Sequence, residues 1–206
     1  MLNELLKRYP CLESAREDIV KAEKALITGF KNGNKLLLCG NGGSCADCEH
    51  IVGELMKGFL SKRPLSEEQK AEMRANCPEI EEKYLSLLQR AVPAIALPSF
   101  TALNTAFCND VEPELVFAQC LMGLGKKDDV LLCISTSGNS KNAVAAALTA
   151  KALGLKTMGL TGKTGGKLKS ICDICVCVPE TETFKVQELH LPVYHYLCAR
   201  VEEKMF

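Results

Sequence analysis

The sequence has no surplus of either charge, no apolar run long enough to cross a bilayer and very few histidines. Each shortage closes off a class of function. Lysine plus arginine number 25, and so do aspartate plus glutamate. Without a basic excess there is no electrostatic footprint for nucleic acid. No uninterrupted apolar stretch approaches the roughly 18–20 residues that span a membrane. The opening Met1-Leu2-Asn3-Glu4 lacks the basic-then-apolar order of an export signal, so the expectation is a cytoplasmic protein. The Walker and Rossmann glycine patterns are missing too, which argues against an ordinary nucleotide site. Imidazole chemistry is limited to His50, His190 and His195.

What is present fits one globular domain. The chain has 206 residues, 47% of them hydrophobic and 24% charged, enough to bury a sizeable core. Twelve cysteines are many for a protein with no export signal. Cys45-x-x-Cys48 and Cys172-x-x-Cys175 have the spacing of zinc pairs, but the first pair falls on a predicted helix. Cys172, Cys175 and Cys177 lie at or inside an apolar strand. The reading is that these thiols pack as small apolar side chains and do not form a metal site.

Helical spacing runs through the first thirty residues, and Asn32-Gly33-Asn34 breaks it. Five short apolar runs follow: Lys35–Cys39, Ala94–Leu97, Val130–Ile134, Lys156–Leu160 and Ile174–Val178. Helical segments separate most of them, which predicts βαβ units and a parallel sheet covered on both faces. A last helix is expected from about Lys185 to Met205, bent at Pro192. Residues 65–92 read as an inserted helical hairpin. It opens with a capped start at Ser66 and carries a stripe of Ile80, Tyr84, Leu87 and Leu88.

Two loops follow predicted strands and precede predicted helices: Gly40-Asn41-Gly42-Gly43-Ser44 and Ser135-Thr136-Ser137-Gly138-Asn139-Ser140. Glycine lets a backbone turn tightly and brings N–H groups near a ligand, and a helix start adds free donors and positive potential. Four hydroxyls in the second loop can donate to phosphate oxygens. A third loop, Thr161-Gly162-Lys163-Thr164-Gly165-Gly166, leaves a third strand at the same sheet edge.

His50 and Glu54 are four residues apart on the helix leaving the first loop, so they share a face. On the last helix lie Gln187, Glu188, His190 and His195. By spacing alone Glu188, seven residues before His195, is its natural partner, since Gln187 lies about 80° away around the helix. A carboxylate and an imidazole beside a bound sugar can move a proton between adjacent carbons, as aldose–ketose isomerisation through an enediol requires. The same groups can ligate a divalent metal.

Taken together, these segments resemble the SIS (sugar isomerase) domain family, and within it the phosphoheptose isomerases. The resemblance rests on Cys39 to Ser44, His50 with Glu54, Asn109-Asp110, and Asp128 through Val130 to Ser140. It also rests on Leu160 to Lys163 with Gly165-Gly166, and on Gln187-Glu188-x-His190 with His195. It covers nearly the whole chain apart from residues 65–92. It implies a three-layer α-β-α sandwich of flavodoxin-like type, with a five-stranded parallel sheet and added terminal helices. By resemblance Ser44, Ser135, Thr136, Ser137 and Ser140 hold phosphate, with Gly42 and Gly43 in the loop, and Asn41, Asn109, Asp110 and Gln187 around the sugar. Glu54 is the base and His195 the acid. His50, Glu54, Gln187 and His195 are the zinc ligands, one ion per subunit, which overrides the spacing preference for Glu188. The resemblance also implies a homotetramer with sites between subunits, acting on sedoheptulose 7-phosphate to give the aldose.

Three departures stand out. The stretch between Arg63-Pro64 and the next strand is lengthened by residues 65–92. Gly58, next to Lys57, stands where an arginine often follows the base. Phe184 stands where an aspartate commonly precedes the Gln-Glu pair. They leave two alternatives open. One is an isomerase of another sugar phosphate. The other is a non-catalytic adaptor, resembling the SIS branch that binds the bacterial replication initiator.

Overall fold

The computed structural model describes residues 1–206. In chain order the elements begin with α1 (Leu2–Arg8), α2 (Arg16–Lys31), β1 (Leu36–Gly40) and α3 (Gly43–Met56). Then come α4 (Glu67–Asn76), α5 (Glu82–Leu87), β2 (Ala94–Ala96), α6 (Thr101–Asp110) and α7 (Val116–Leu124). The chain finishes with β3 (Val130–Ser135), α8 (Lys141–Ala152), β4 (Lys156–Thr161), α9 (Gly166–Ile171), β5 (Ile174–Cys177) and α10 (Thr183–Met205). No helix is long and apolar enough to cross a membrane.

All five strands are parallel, in the order β2-β1-β3-β4-β5. The short apolar runs produce this because a parallel strand is buried on both faces and needs no polar alternation. Every residue of β1 and β3 is buried. Alternate residues serve opposite layers. Leu36, Leu38, Val130, Leu132 and Ile134 pack beneath α2, α3 and α10. Leu37, Cys39, Leu131 and Cys133 pack beneath α7, α8 and α9. The small Ala143, Ala146, Ala147 and Ala150, all fully buried, let α8 lie close on the sheet.

Two expectations are corrected. The first thirty residues are not one helix: Pro10, which lacks an N–H, opens a 3-10 turn over Pro10–Ala15 that separates α1 from α2. The stripe Ile80, Tyr84, Leu87 and Leu88 does not form one helical face. Tyr84, Leu87 and Leu88 are exposed, and Leu85 is the buried residue of that segment. The expected helix starts later than its periodicity suggested, at Glu82. It ends at Leu87, where Leu88 turns extended, so only Tyr84 and Leu87 of the stripe are wound into it. The expected cap on α4 is present: Gln69 N donates to Ser66 Oγ at 3.2 Å and Ser66 N to Gln69 Oε1 at 3.0 Å. A bridge between Pro64 and Gln89 closes the base of this segment. Pro192 lies inside α10, which continues through it to Met205.

Candidate active site

The strand order reverses at β1, which pairs with β2 on one side and β3 on the other. Open α/β sheets bind ligands in the crevice at such a switch point, outside the carboxyl ends of the strands. The first two Gly/Ser loops leave from that place, because Gly40 is in register with Ile134. A Cβ on Gly40 would stand 2.6 Å from Ser44 O, so only glycine allows the first loop to fold back into α3. The reciprocal amides of Asn41 and Asn142, 2.9 Å apart in both directions, tie this loop to the start of α8.

The second loop is fastened internally and to the third. Ser135 and Ser140 hydroxyls lie 2.9 Å apart, and Ser137 Oγ accepts from Asn139 N at 3.1 Å. Gly138, at φ +67°, approaches the third loop so closely that a Cβ would meet Gly165 O at 2.0 Å. Leu168 N donates to Gly138 O at 3.1 Å, and Gly162 N to Thr136 O at 2.9 Å. Ser44 and Ser135 are buried, Thr136 and Ser140 half-buried, and Ser137, Asn41, Gly42 and Gly43 exposed. The result is a floor of hydroxyls and backbone N–H groups at the starts of α3 and α8.

One wall of this floor comes from the other end of the chain. The α10 helix runs beside α3 in the same direction. The Gln187 amide lies against Gly43, where a Cβ would meet its Nε2 at 2.4 Å. About two turns further along, His50, Glu54 and His195 converge. His50 Nε2 lies 3.1 Å from Glu54 Oε1 and 3.4 Å from His195 Nε2. The two imidazole planes are nearly perpendicular, at 83°. Glu54 Oε2 is buried without a hydrogen-bond partner, with Lys57 Nζ 3.7 Å away. One donor atom from each of the three residues lies within 4.8 Å of the others, so the group can hold a metal ion. It is the chain's one such group, and the four-cysteine arrangement is not formed. Burial pushes His195 below the ordinary imidazole value. Nearby His50 adds to that, and Glu54 partly offsets it. An open cavity of about 460 Å³ adjoins His195, lined also by Leu5, Arg8, Tyr9, Phe59 and Tyr196.

Other residues named from the sequence lie elsewhere. Glu188 is exposed, and His195 turns to His50 instead, because α3 rather than α10 supplies its neighbour. Gln187 stands at Gly43 and not beside the histidines: eight residues of helix separate it from His195, about 12 Å of rise. Asn109 and Asp110 end α6, exposed and bonded to each other at 2.8 Å. His190 is fully buried, with the Thr161 backbone near its ring but no partner at full hydrogen-bond geometry. Burial holds it neutral, lowered to about 4.

Sequence reasoning missed four residues that brace the cluster. Tyr194 OH donates to Asp47 Oδ1 at 3.1 Å and lies 3.0 Å from His50 Nδ1. Arg63, which is buried, donates to the carbonyls of Glu54 (2.9 Å) and Leu55 (2.7 Å) and to Glu202 Oε1 (2.5 Å). Those carbonyls end α3, where helical partners run out. The hints in the sequence were that Tyr194 adjoins His195 and Asp47 lies one helical turn from His50; nothing in the sequence linked Arg63 to Glu202.

Comparisons with known proteins agree with this architecture. The family model described as SIS domain matches residues 2–92 and 83–162. A phosphoheptose isomerase of a Nitratiruptor species is 39% identical over 204 residues, 97% of this chain and 95% of the relative. One from Helicobacter pylori is 39% identical over 199 residues, 97% of this chain and 89% of the relative. The solved phosphoheptose isomerase of Neisseria gonorrhoeae superposes with a TM-score of 0.75 at 28% identity, covering 98% of this chain and 96% of that one.

Proposed function

The chain belongs to the SIS domain family, and from that premise we propose that it is a phosphoheptose isomerase, converting sedoheptulose 7-phosphate to the aldose heptose 7-phosphate. The observation that carries the reading is the meeting of His50, Glu54 and His195, from opposite ends of the chain, beside a hydroxyl-lined switch-point crevice. In this reading Ser44, Ser135, Thr136, Ser137 and Ser140 bind the phosphate with the N–H groups that begin α3 and α8. Glu54 removes the proton from the carbon beside the carbonyl, giving the enediol. His195, protonated at the start, gives its proton to the carbonyl oxygen as the enediol forms; it regains one from the neighbouring hydroxyl as Glu54 returns its proton to the adjacent carbon, which completes the transfer. Gln187, held on Gly43, orients the sugar between phosphate and base. The convergence of Glu54 with His195 favours catalysis over an adaptor role.

A zinc ion suits the same cluster. Tetrahedral ligands about 2.05 Å from zinc stand about 3.3 Å apart. The 3.1 and 3.4 Å separations around His50 Nε2 bracket that value. His50, Glu54 and His195 would hold the ion. When bound it supplies Lewis-acid polarisation of the substrate's oxygens. The exposed Asn109 and Asp110 are free to serve a second copy's site, which is in keeping with a homotetramer with shared sites in the cytoplasm.

The test is turnover of sedoheptulose 7-phosphate by the pure protein, with and without added zinc. Glu54→Gln and His195→Ala should each abolish it, with circular dichroism unchanged. Absence of turnover by the wild-type protein under both conditions refutes the reading.

A further inference from the structure

We infer that the closing arm of the inserted segment acts on the site: Gln89 is a positioning residue that fixes the C-terminal end of α3, and with it Glu54. The last carbonyls of a helix have no partners within it, and a chain often turns an amide back to meet them. Every other helix from α1 to α10 does so through the residue at its C-terminal end. In α3 that residue is Lys57, whose backbone is extended (φ −138°, ψ 173°), and its amide makes no such bond. The end of the helix that carries Glu54 is therefore held by residues distant in the chain. Arg63 donates to the carbonyls of Glu54 and Leu55, and Val92 N donates to Leu55 O at 3.3 Å. Just past the helix, Gly58 N donates to Gln89 Oε1 at 2.7 Å.

The arm is anchored where the insert begins and ends. Residues 65–88 leave from Pro64 and return to Gln89, which bridges back to Pro64. Arg90 N donates to Arg63 O at 2.7 Å, and Arg90 Nε to Pro64 O at 3.0 Å. The Arg63 and Arg90 guanidiniums both lie over the Phe206 ring, 4.8 and 5.0 Å from its centre. The clasp also explains the glycine at 58. A Cβ there would meet Ser61 O at 2.2 Å and Gln89 Oε1 at 3.2 Å, so no larger residue fits beneath Gln89. Gln89 itself is exposed, and its side chain makes no other hydrogen bond. Its loss leaves the core intact and loosens one place, the turn that follows α3.

The effect on turnover rests on the isomerase reading above, but the clasp does not, so the experiment reads both. Amide hydrogen exchange of the full chain reports the end of α3, and initial rates with sedoheptulose 7-phosphate report kcat and KM. In Gln89→Ala, exchange at Gly58 should quicken about tenfold, as the loss of one hydrogen bond allows. Its kcat should fall about tenfold with KM unchanged, since a displacement of about 1 Å at a reacting group can cost about 100-fold. Its thermal midpoint should move by less than about 4 °C, the effect of one hydrogen bond in a chain of this size. Gln89→Glu keeps an acceptor oxygen at Gly58 and should restore both exchange and kcat. Arg74→Ala, which breaks only the exposed pair with Glu82 inside the insert, should change neither. The inference is overturned by exchange unmoved in Gln89→Ala, by kcat unmoved when exchange quickens, or by KM rising in step with the loss of kcat. Failure of Gln89→Glu to recover, or an equal loss in Arg74→Ala, overturns it too. Exchange that quickens in Gln89→Ala and recovers in Gln89→Glu, in a protein without turnover of the sugar phosphate, upholds the clasp and removes the isomerase reading instead.

Discussion

Replacing Glu202 by glutamine removes the anchor that holds the end of α3, the helix that carries His50 and Glu54. Glu202 Oε1 accepts from Phe59 N at 2.9 Å and Arg63 Nε at 2.5 Å, and Oε2 from Leu60 N at 2.8 Å and Ser61 N at 3.1 Å. Arg63 and Glu202 are only 2% and 4% exposed. Glutamine keeps one acceptor but aims an NH2 group at two donors, and it leaves the Arg63 charge buried without a partner. Breaking a buried pair from one side costs about 3–5 kcal/mol. That is a large part of the ~5–15 kcal/mol by which domains are stable. Urea unfolding at fixed protein concentration should show a midpoint lowered by about 1–2 M with an unchanged slope. Activity should fall as well, because Arg63 also grips the carbonyl of Glu54.

The pH dependence of this effect has a definite sign. Burial raises the Glu202 carboxyl, but the N–H groups of Phe59 and Leu60 and the Arg63 guanidinium outweigh it, and the net value lies below the ordinary 4.5. A carboxyl lowered by folding contributes stability that is fully present above its unfolded value and lost as pH falls through its folded value. The gap between wild type and Glu202→Gln should be constant down to about pH 4.5 and shrink below it. Arg63→Met with Glu202→Leu should recover much of the loss, since apolar replacement of a whole buried pair is often neutral. A loss under about 1 kcal/mol for Glu202→Gln, the range of an exposed pair, would refute the reasoning.

Two glycines separate flexible from rigid neighbours. Gly43→Ala should fold normally but weaken substrate affinity, because its Cβ meets only the movable end of Gln187. Gly138→Ala should lower the unfolding midpoint, because its Cβ meets the Gly165 carbonyl at 2.0 Å from a positive φ. Thiol labelling of the native protein should be fast at the exposed Cys11, Cys77 and Cys108. It should be absent at the buried Cys39, Cys133 and Cys198 until the protein unfolds. Burial pushes the Cys198 thiol up to about 12, which slows it further.

The sheet was legible because five apolar runs bounded by turn residues leave little choice but parallel strands between helices. The two Gly/Ser loops were legible because glycine and hydroxyl residues sit where strand gives way to helix. His50 and Glu54 could be paired by counting along one helix. The stripe at residues 80–88 formed only in part because periodicity does not say where a helix starts and stops, and α5 takes in Tyr84 and Leu87 but not Ile80 or Leu88. Counting along α10 alone pairs His195 with Glu188, a preference the family resemblance overrode, and in the structure its neighbour is His50, 145 residues away. No spacing rule within α10 carries that information, since it depends on how α10 lies on α3. The same holds for Tyr194 with Asp47 and for Arg63 with Glu202. The sequence by itself determined the layers, the loops and which side chains are able to do chemistry. Only the tertiary structure decided which of them meet, because contacts between distant segments are set by packing two helices on one sheet.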